Sequence, residues 1–100
     1  MQIITLDNTE FPDLLNEFRG GRVVGRYWRN GTVQIVRATS QFVLISHGES
    51  PSKLAFKPIR SMQEAESYAL RILSRELARG SEIEVSAEYA QLPEAPKLPS

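Results

Sequence analysis

Between Arg22 and Ser46 the apolar residues gather into three short runs, RVVGRYW, TVQIVRA and QFVLIS, rich in β-branched and aromatic side chains. Runs of this length and composition predict strands. They are separated at Asn30-Gly31 and Thr39-Ser40, and Asn-Gly between two such runs predicts a tight hairpin, because both central positions of its turn need positive φ. MQIITL at the start of the chain is a further apolar run consistent with a strand. SKLAFKP alternates Leu54 and Phe56 with Lys53 and Lys57 until Pro58 stops it, so it reads as one more short strand.

Two segments carry a helical period instead. In TEFPDLLNEF, the residues Phe11, Leu14, Leu15 and Phe18 fall at i, i+3, i+4 and i+7, with Thr9 as N-cap, Pro12 in the first turn and Gly20-Gly21 as the stop. In SMQEAESYALRILSRELARG, Ser61 and Glu64 form a capping box and Gly80 supplies the residue after the helix. Met62, Ala65, Ala69, Ile72, Leu73 and Leu77 line one face of that longer helix. EIEVSAEY then alternates Ile83, Val85, Ala87 and Tyr89 against Glu82, Glu84, Ser86 and Glu88, a half-buried strand with an acidic outer face. The order is β-α-β-β-β-α-β. The fold class is α+β, an antiparallel sheet of four to five strands packed against two helices. One domain is expected over residues 1–89, followed by a Pro-rich flexible tail over 90–100. Its Pro93, Pro96 and Pro99 have the period of polyproline II and of an SH3 ligand, but a disordered tail explains them without a partner.

The two-residue turn also sets a register. Residues 28 and 33, 27 and 34, 26 and 35, and 24 and 37 should sit opposite one another, and the same logic across Thr39-Ser40 pairs 37 with 42 and 35 with 44. One face then carries Val24, Trp28, Val33, Ile35, Phe42 and Leu44, with Arg26 and Arg37 toward one end. The other carries Tyr27, Arg29, Thr32, Gln34, Val36, Val43, Ile45 and His47. The first face is the better core for the long helix, which makes Trp28 a core residue. The first helix would cover the apolar half of the second face and leave Tyr27, Arg29 and Gln34 at its rim.

Charge changes this picture. The chain of 100 residues has a formal net charge of zero, yet residues 1–18 contain four acids and no base, while residues 19–60 contain Arg19, Arg22, Arg26, Arg29, Arg37, Lys53, Lys57 and Arg60 against Glu49 alone. Such a one-sided block predicts a positive potential over part of the surface. On the long helix Arg71, Arg75 and Arg79 recur at i, i+4 and i+8, a like-charge stripe that asks for an acidic neighbour. Glu82, Glu84 and Glu88, or the acidic first helix, are the expected source, with an acidic partner as the alternative.

Candidate chemistry is sparse. The absence of cysteine removes disulfides, thiolate metal sites and thiol nucleophiles. No apolar stretch approaches the roughly 20 residues of a membrane span and no export leader is present, so a cytoplasmic location without membrane contact is expected. His47 is the only histidine, and SHGES brings Ser46, His47, Glu49 and Ser50 together only in sequence, outside any strand-turn-helix elbow. Gly20-Gly21 lacks the Lys and Ser/Thr of a phosphate loop. The expectation is a protein that is not an enzyme and needs no cofactor or metal, and that docks Arg26, Tyr27, Arg29, Gln34, His47, Lys53 and Lys57 on an acidic protein surface or a nucleoprotein complex. Tyr and Arg are enriched in interface hot spots. Nucleic acid is the alternative partner of the same aromatic and basic sheet.

Resemblances point the same two ways. The order helix, three strands, helix from residue 9 to 79, opened by FPDLLNEF and closed by SMQEAESYAL, resembles the double-stranded-RNA-binding domain, which implies an RNA ligand. Met62, Gln63 and Glu64 stand where that family opens its last helix with a basic cluster, and RNGTVQ holds no Gly-Pro-x-His. A three-stranded sheet followed by a helix is also similar to AP2-like DNA-reading domains. In size, lack of cysteine and lack of catalytic groups the chain resembles small inhibitors carried by phages and mobile elements, anti-CRISPR proteins among them, which implies a protein partner.

Overall fold

The structure is a computed structural model; it describes residues 1–5, 12–48 and 53–90, apart from the side chain of Leu15. The elements are β1 (Gln2–Thr5), α1 (Pro12–Gly20), β2 (Arg22–Arg29), β3 (Thr32–Ala38), β4 (Phe42–His47), β5 (Lys53–Pro58), α2 (Met62–Ala78) and β6 (Glu82–Val85). The fold is α+β. Among the described residues the antiparallel sheet has six strands in the order β1-β5-β4-β3-β2-β6, one more than the upper expectation. The short β1 and β5 pair with each other along Gln2↔Phe56 to Thr5↔Lys53, so each supplies the ladder partner the other needs. Four strands separate the helices in the chain, SKLAFKP forming the extra short one as β5. The expected N-cap Thr9, together with Phe11, Glu49, Ser50 and the tail from residue 91, lies outside the described residues.

Local chemistry shapes the turns and caps as the sequence implies. Asn30 and Gly31 have φ of 53° and 76°, and β2 and β3 pair through Arg26↔Ile35, Tyr27↔Gln34 and Trp28↔Val33. Farther from the turn a bulge between Val23 and Gly25 leaves Arg37 opposite Val23, not Val24. The next connection is longer than two residues. Thr39 Oγ1 accepts from Gln41 N and Phe42 N at 3.1 and 2.8 Å, which holds open a loop in which Arg37 meets Leu44 and Ile35 meets Ser46. The shift is two residues, so every side chain of β4 keeps its face, whereas the bulge turns Val24 from the expected Trp28 face to the opposite one, among Tyr27, Val36 and Val43.

Helix α2 begins at Ser61, whose Oγ accepts from Glu64 N at 3.1 Å, while Glu64 Oε2 accepts from Arg60 N at 3.2 Å. It ends in a Schellman pair, Gly80 N to Leu77 O and Ser81 N to Glu76 O, both 3.0 Å, with Gly80 at φ 93°. β6 stops at Val85, short of the expected run to Tyr89. Tyr89 N instead turns back to Ser86 O at 2.9 Å.

The helices lie on opposite faces of the sheet, and the assignment is the reverse of the expected one. α2 packs its Ala65, Ala69, Leu70 and Leu73 on Val24, Tyr27, Val36, Ala38, Val43, Ile83 and Val85. α1 brings Leu14 and Phe18 to Leu44, Leu54 and Phe56 on the other side. Trp28, expected in the core, is 37% exposed, because α1 is only nine residues long and covers the β4-β5-β1 half of its face. Beyond it Arg37 stacks its guanidinium 4.4 Å over the Phe18 ring and donates to Ser46 Oγ at 3.1 Å.

Tyr89 closes the α2 layer at the β6 side. It is 2% exposed, and its hydroxyl lies between Arg22 and Glu66 without meeting either in hydrogen-bond geometry. Burial first, then the Glu66 carboxylate, pushes its pKa up to about 12. An unfolded tyrosine loses its proton near pH 10, so between about pH 10 and 12 the folded state holds a proton that the unfolded state has lost. Stability is therefore expected to fall as pH rises through that window and to be insensitive to this group below it. Denaturant midpoints at pH 8, 10 and 11.5 check this: Tyr89→Phe should flatten the decline, and an unchanged decline in the variant would assign it to other groups.

Candidate functional site

The seven side chains singled out from the sequence divide into two groups. Arg26, Arg29 and Lys57 are engaged within the fold. Arg26 points to the α1 face and donates from Nη1 to Glu84 Oε1 at 3.0 Å across the β2–β6 pair. Arg29 reaches over α2 to Glu76, Nη2 to Oε2, at 3.5 Å. Glu76 is 5% exposed and accepts as well from Arg79 Nη1 at 3.2 Å and Ser81 Oγ at 3.1 Å, so it is a buried carboxylate satisfied from three directions. The ammonium of Lys57 sits 5.2 Å from the Tyr68 ring centroid.

Tyr27, Gln34, His47 and Lys53 form the second group, and the sheet brings them to one place. Tyr27, Gln34 and His47 are direct partners across β2, β3 and β4, and Lys53 stands at the start of β5 beyond them. Together with Met1, Ile3, Ile45 and Ala55 they line a cleft of about 570 Å³ on the α2 face. The cleft exists because α2 crosses β6, β2, β3 and β4 and leaves β5 and β1 uncovered on that side. Ile45, Ala55 and Ile3 are successive partners across β4, β5 and β1, which makes the floor a continuous apolar row. Met1 and Ile3 are 56% and 71% exposed.

The polar end is ordered. Gln34 Nε2 and His47 Nδ1 are 2.7 Å apart. The contact ties the amide of Gln34 to the imidazole and fixes the ring's orientation at the cleft. Tyr27 has its pKa raised by burial and by the charge of Glu76, so its phenol stays protonated at neutral pH. Among the described residues Lys53 is the one charged side chain in the lining, and none is acidic.

The adjacent helix flank adds to this charge. Tyr68 reaches toward β5, and Arg71, Ile72, Arg75 and Arg79 follow it at helical spacing on the same side. Arg79 is held by Glu76. Arg71 and Arg75 are exposed and make no ion pair among the described residues. Of the acids expected to face the stripe, Glu84 pairs with Arg26 and Glu88, beside Glu66, with Arg22, while α1 lies on the opposite face of the sheet.

Met1, Ile3 and Ala55 did not stand out as site residues in the sequence. Their signal was the chargeless run MQIITL and the alternation of Ala55 between Lys53 and Lys57, which becomes meaningful only once β1 lies beside β5. Ser46 and His47, adjacent in SHGES, project to opposite faces of β4: Ser46 accepts from Arg37 on the α1 side and His47 joins the cleft. Among the described residues no three His, Asp or Glu side chains gather as a metal site, and no helix is long and apolar enough to cross a membrane. No family model, curated protein or solved structure matches the chain.

Proposed function

We propose that the protein is a non-enzymatic interaction factor or inhibitor that docks an acidic protein partner in the cleft between α2 and the β5–β1 end of the sheet. One observation carries the reading: among the described residues the cleft joins an apolar floor to Lys53, Tyr27 and His47 with no acidic side chain in its lining, and Arg71 and Arg75 on the adjacent helix flank make no ion pair there. Exposed apolar surface rimmed by polar groups marks interaction sites on soluble proteins. The cationic rim sets the sign of the partner, because matched potentials steer encounter and like charge repels. The docking surface is thus narrower than the whole basic sheet, since Arg26 and Arg29 already hold Glu84 and Glu76.

The test begins with capture on the immobilised protein from nuclease-treated and untreated lysate of the native host, and continues with the purified partner. Lys53→Glu combined with Arg75→Glu replaces two exposed cations, so stability should move by no more than about 0.5 kcal/mol per site. Affinity for the partner is expected to fall at least tenfold, mainly through a slower on-rate. Full affinity in the variant would exclude the cleft. Capture abolished by nuclease, with log affinity falling linearly in log salt, would identify nucleic acid as the partner instead.

A further inference from the structure

Among the described residues the sheet ends in β1 on one side and β6 on the other, and the two edges are built differently. Open edges present unpaired N–H and C=O groups and are ordinarily blunted by charge, proline or a bulge. β6 follows that rule: Glu82 and Glu84 stand on it, and two copies paired along this edge would set acid near acid. β1 does not follow it. Residues 1–5, MQIIT, hold no charged side chain and no proline, and the pairing of β1 with β5 runs without a bulge. Met1 and Ile3 are two of the three exposed large hydrophobic residues among those described.

We propose that β1 is a self-pairing edge, through which a second copy of this chain extends the sheet about a two-fold axis. Directly opposed residues of an antiparallel pair share a face. The two-fold register that keeps residues 1–5 paired therefore sets Ile3 against Ile3, Gln2 against Ile4 and Met1 against Thr5. Ile3 shares the face of Ala55 and Ile45, so the pairing joins the apolar floors of two clefts into one strip. Like meets like here without repulsion, which a second copy satisfies by symmetry and a charged segment would not. The short ladder limits the strength: four or five residues a side bury less than the roughly 1,200 Å² of a stable specific interface. The dimer is accordingly weak, with a dissociation constant on the order of 100 μM.

Sedimentation velocity of the full chain from about 10 μM to 1 mM brackets that constant. The expected result is a monomer that becomes a dimer as concentration rises. Ile3→Lys sets two ammonium groups opposite each other and should remain monomeric throughout, with an unchanged melting temperature because Ile3 is exposed; Glu82→Lys on the other edge should dimerise as before. Because the chain has no cysteine, Ile3→Cys gives a second readout. Opposed Cβ atoms in such a pair are about 4.5–5.5 Å apart, against the roughly 3.5–4.5 Å of a disulfide, so a shift of about 1 Å between the strands closes the bond, and oxidation should cross-link this variant at least tenfold faster than Ser74→Cys on the outer side of α2. A wild-type monomer at the top of the range, dimerisation of Ile3→Lys, or equal cross-linking rates would each overturn the proposal. None of these results bears on Lys53→Glu with Arg75→Glu, so the partner-docking reading stands or falls separately.

Discussion

Phe56→Ala is expected to destabilise the protein by about 3–5 kcal/mol, while Trp28→Ala costs about 1–2 kcal/mol. Size alone would order them the other way. Phe56 is 1% exposed, meets Leu14, Leu44 and Leu54, and holds the Phe42 ring edge-on at 5.8 Å, so its removal leaves a cavity that β4, β5 and α1 cannot all close. Trp28 is 37% exposed on a part of the sheet that α1 does not reach, so truncation there removes packing on one side and opens no void. Denaturant unfolding of both variants is the measurement. Equal costs, or a larger one for Trp28, would mean that the α1 face is cored around the hairpin end instead.

That contrast marks where sequence reasoning stops. Asn30-Gly31, the Ser61–Glu64 box and Gly80 act within a few residues of themselves, so their geometry follows from local chemistry and was legible. The parity of the strands was legible for the same reason, and it survived the longer Thr39 loop but not the bulge near Gly25, which turns Val24 from the expected Trp28 face to the face under α2. Which helix takes which face was not. Both faces of this sheet are covered, so both are apolar, and parity separates them without labelling them. The label was written in Gly25. A Cβ there would stand 2.5 Å from Glu84 O and 2.5 Å from Leu73 Cδ1, which shows that α2 presses on the strand at this point. Glycine inside a strand pattern signals such an approach, and it shares its face with Val36 and Ile45, not with Trp28.

The cleft was legible in part. Tyr27 opposite Gln34 followed from the hairpin register and the face of His47 from strand parity, but its place opposite Gln34 did not, because the Thr39 loop moves the β3–β4 pairing by two residues. Lys53 followed from charge and alternation. The floor did not, because Ile3 and Ala55 are joined by a pairing that spans some fifty residues of sequence. The basic block was misleading for a related reason: bases were counted along the chain, whereas their acids arrive in space, from α2, β6 and the turn after it, onto Arg22, Arg26 and Arg29.

Arg29→Glu is accordingly expected to destabilise the protein by about 2 kcal/mol, not to act as a neutral surface change. Three effects set the figure. The charge-assisted contact with Glu76 is lost, worth about 1.5–3 kcal/mol for a hydrogen bond to a charged group. A new carboxylate appears beside one that is 6% exposed at its side chain and cannot move into water, which adds repulsion. Against these, the Arg29 side chain is 49% exposed, so solvent screens the original pair and lets the new Glu turn outward. Arg79 and Ser81 remain on Glu76, which keeps the loss below that of an orphaned buried charge. Lys57→Glu is the control, since among the described residues Lys57 shows only its contact with the Tyr68 ring, a half-buried cation–π pair worth about 1 kcal/mol. Chemical denaturation of the two variants decides the role of the hairpin arginine. A shift for Arg29→Glu within about 0.5 kcal/mol of wild type, as for an ordinary surface site, would return Arg29 to the free docking surface and widen the partner site from the cleft to the end of the hairpin.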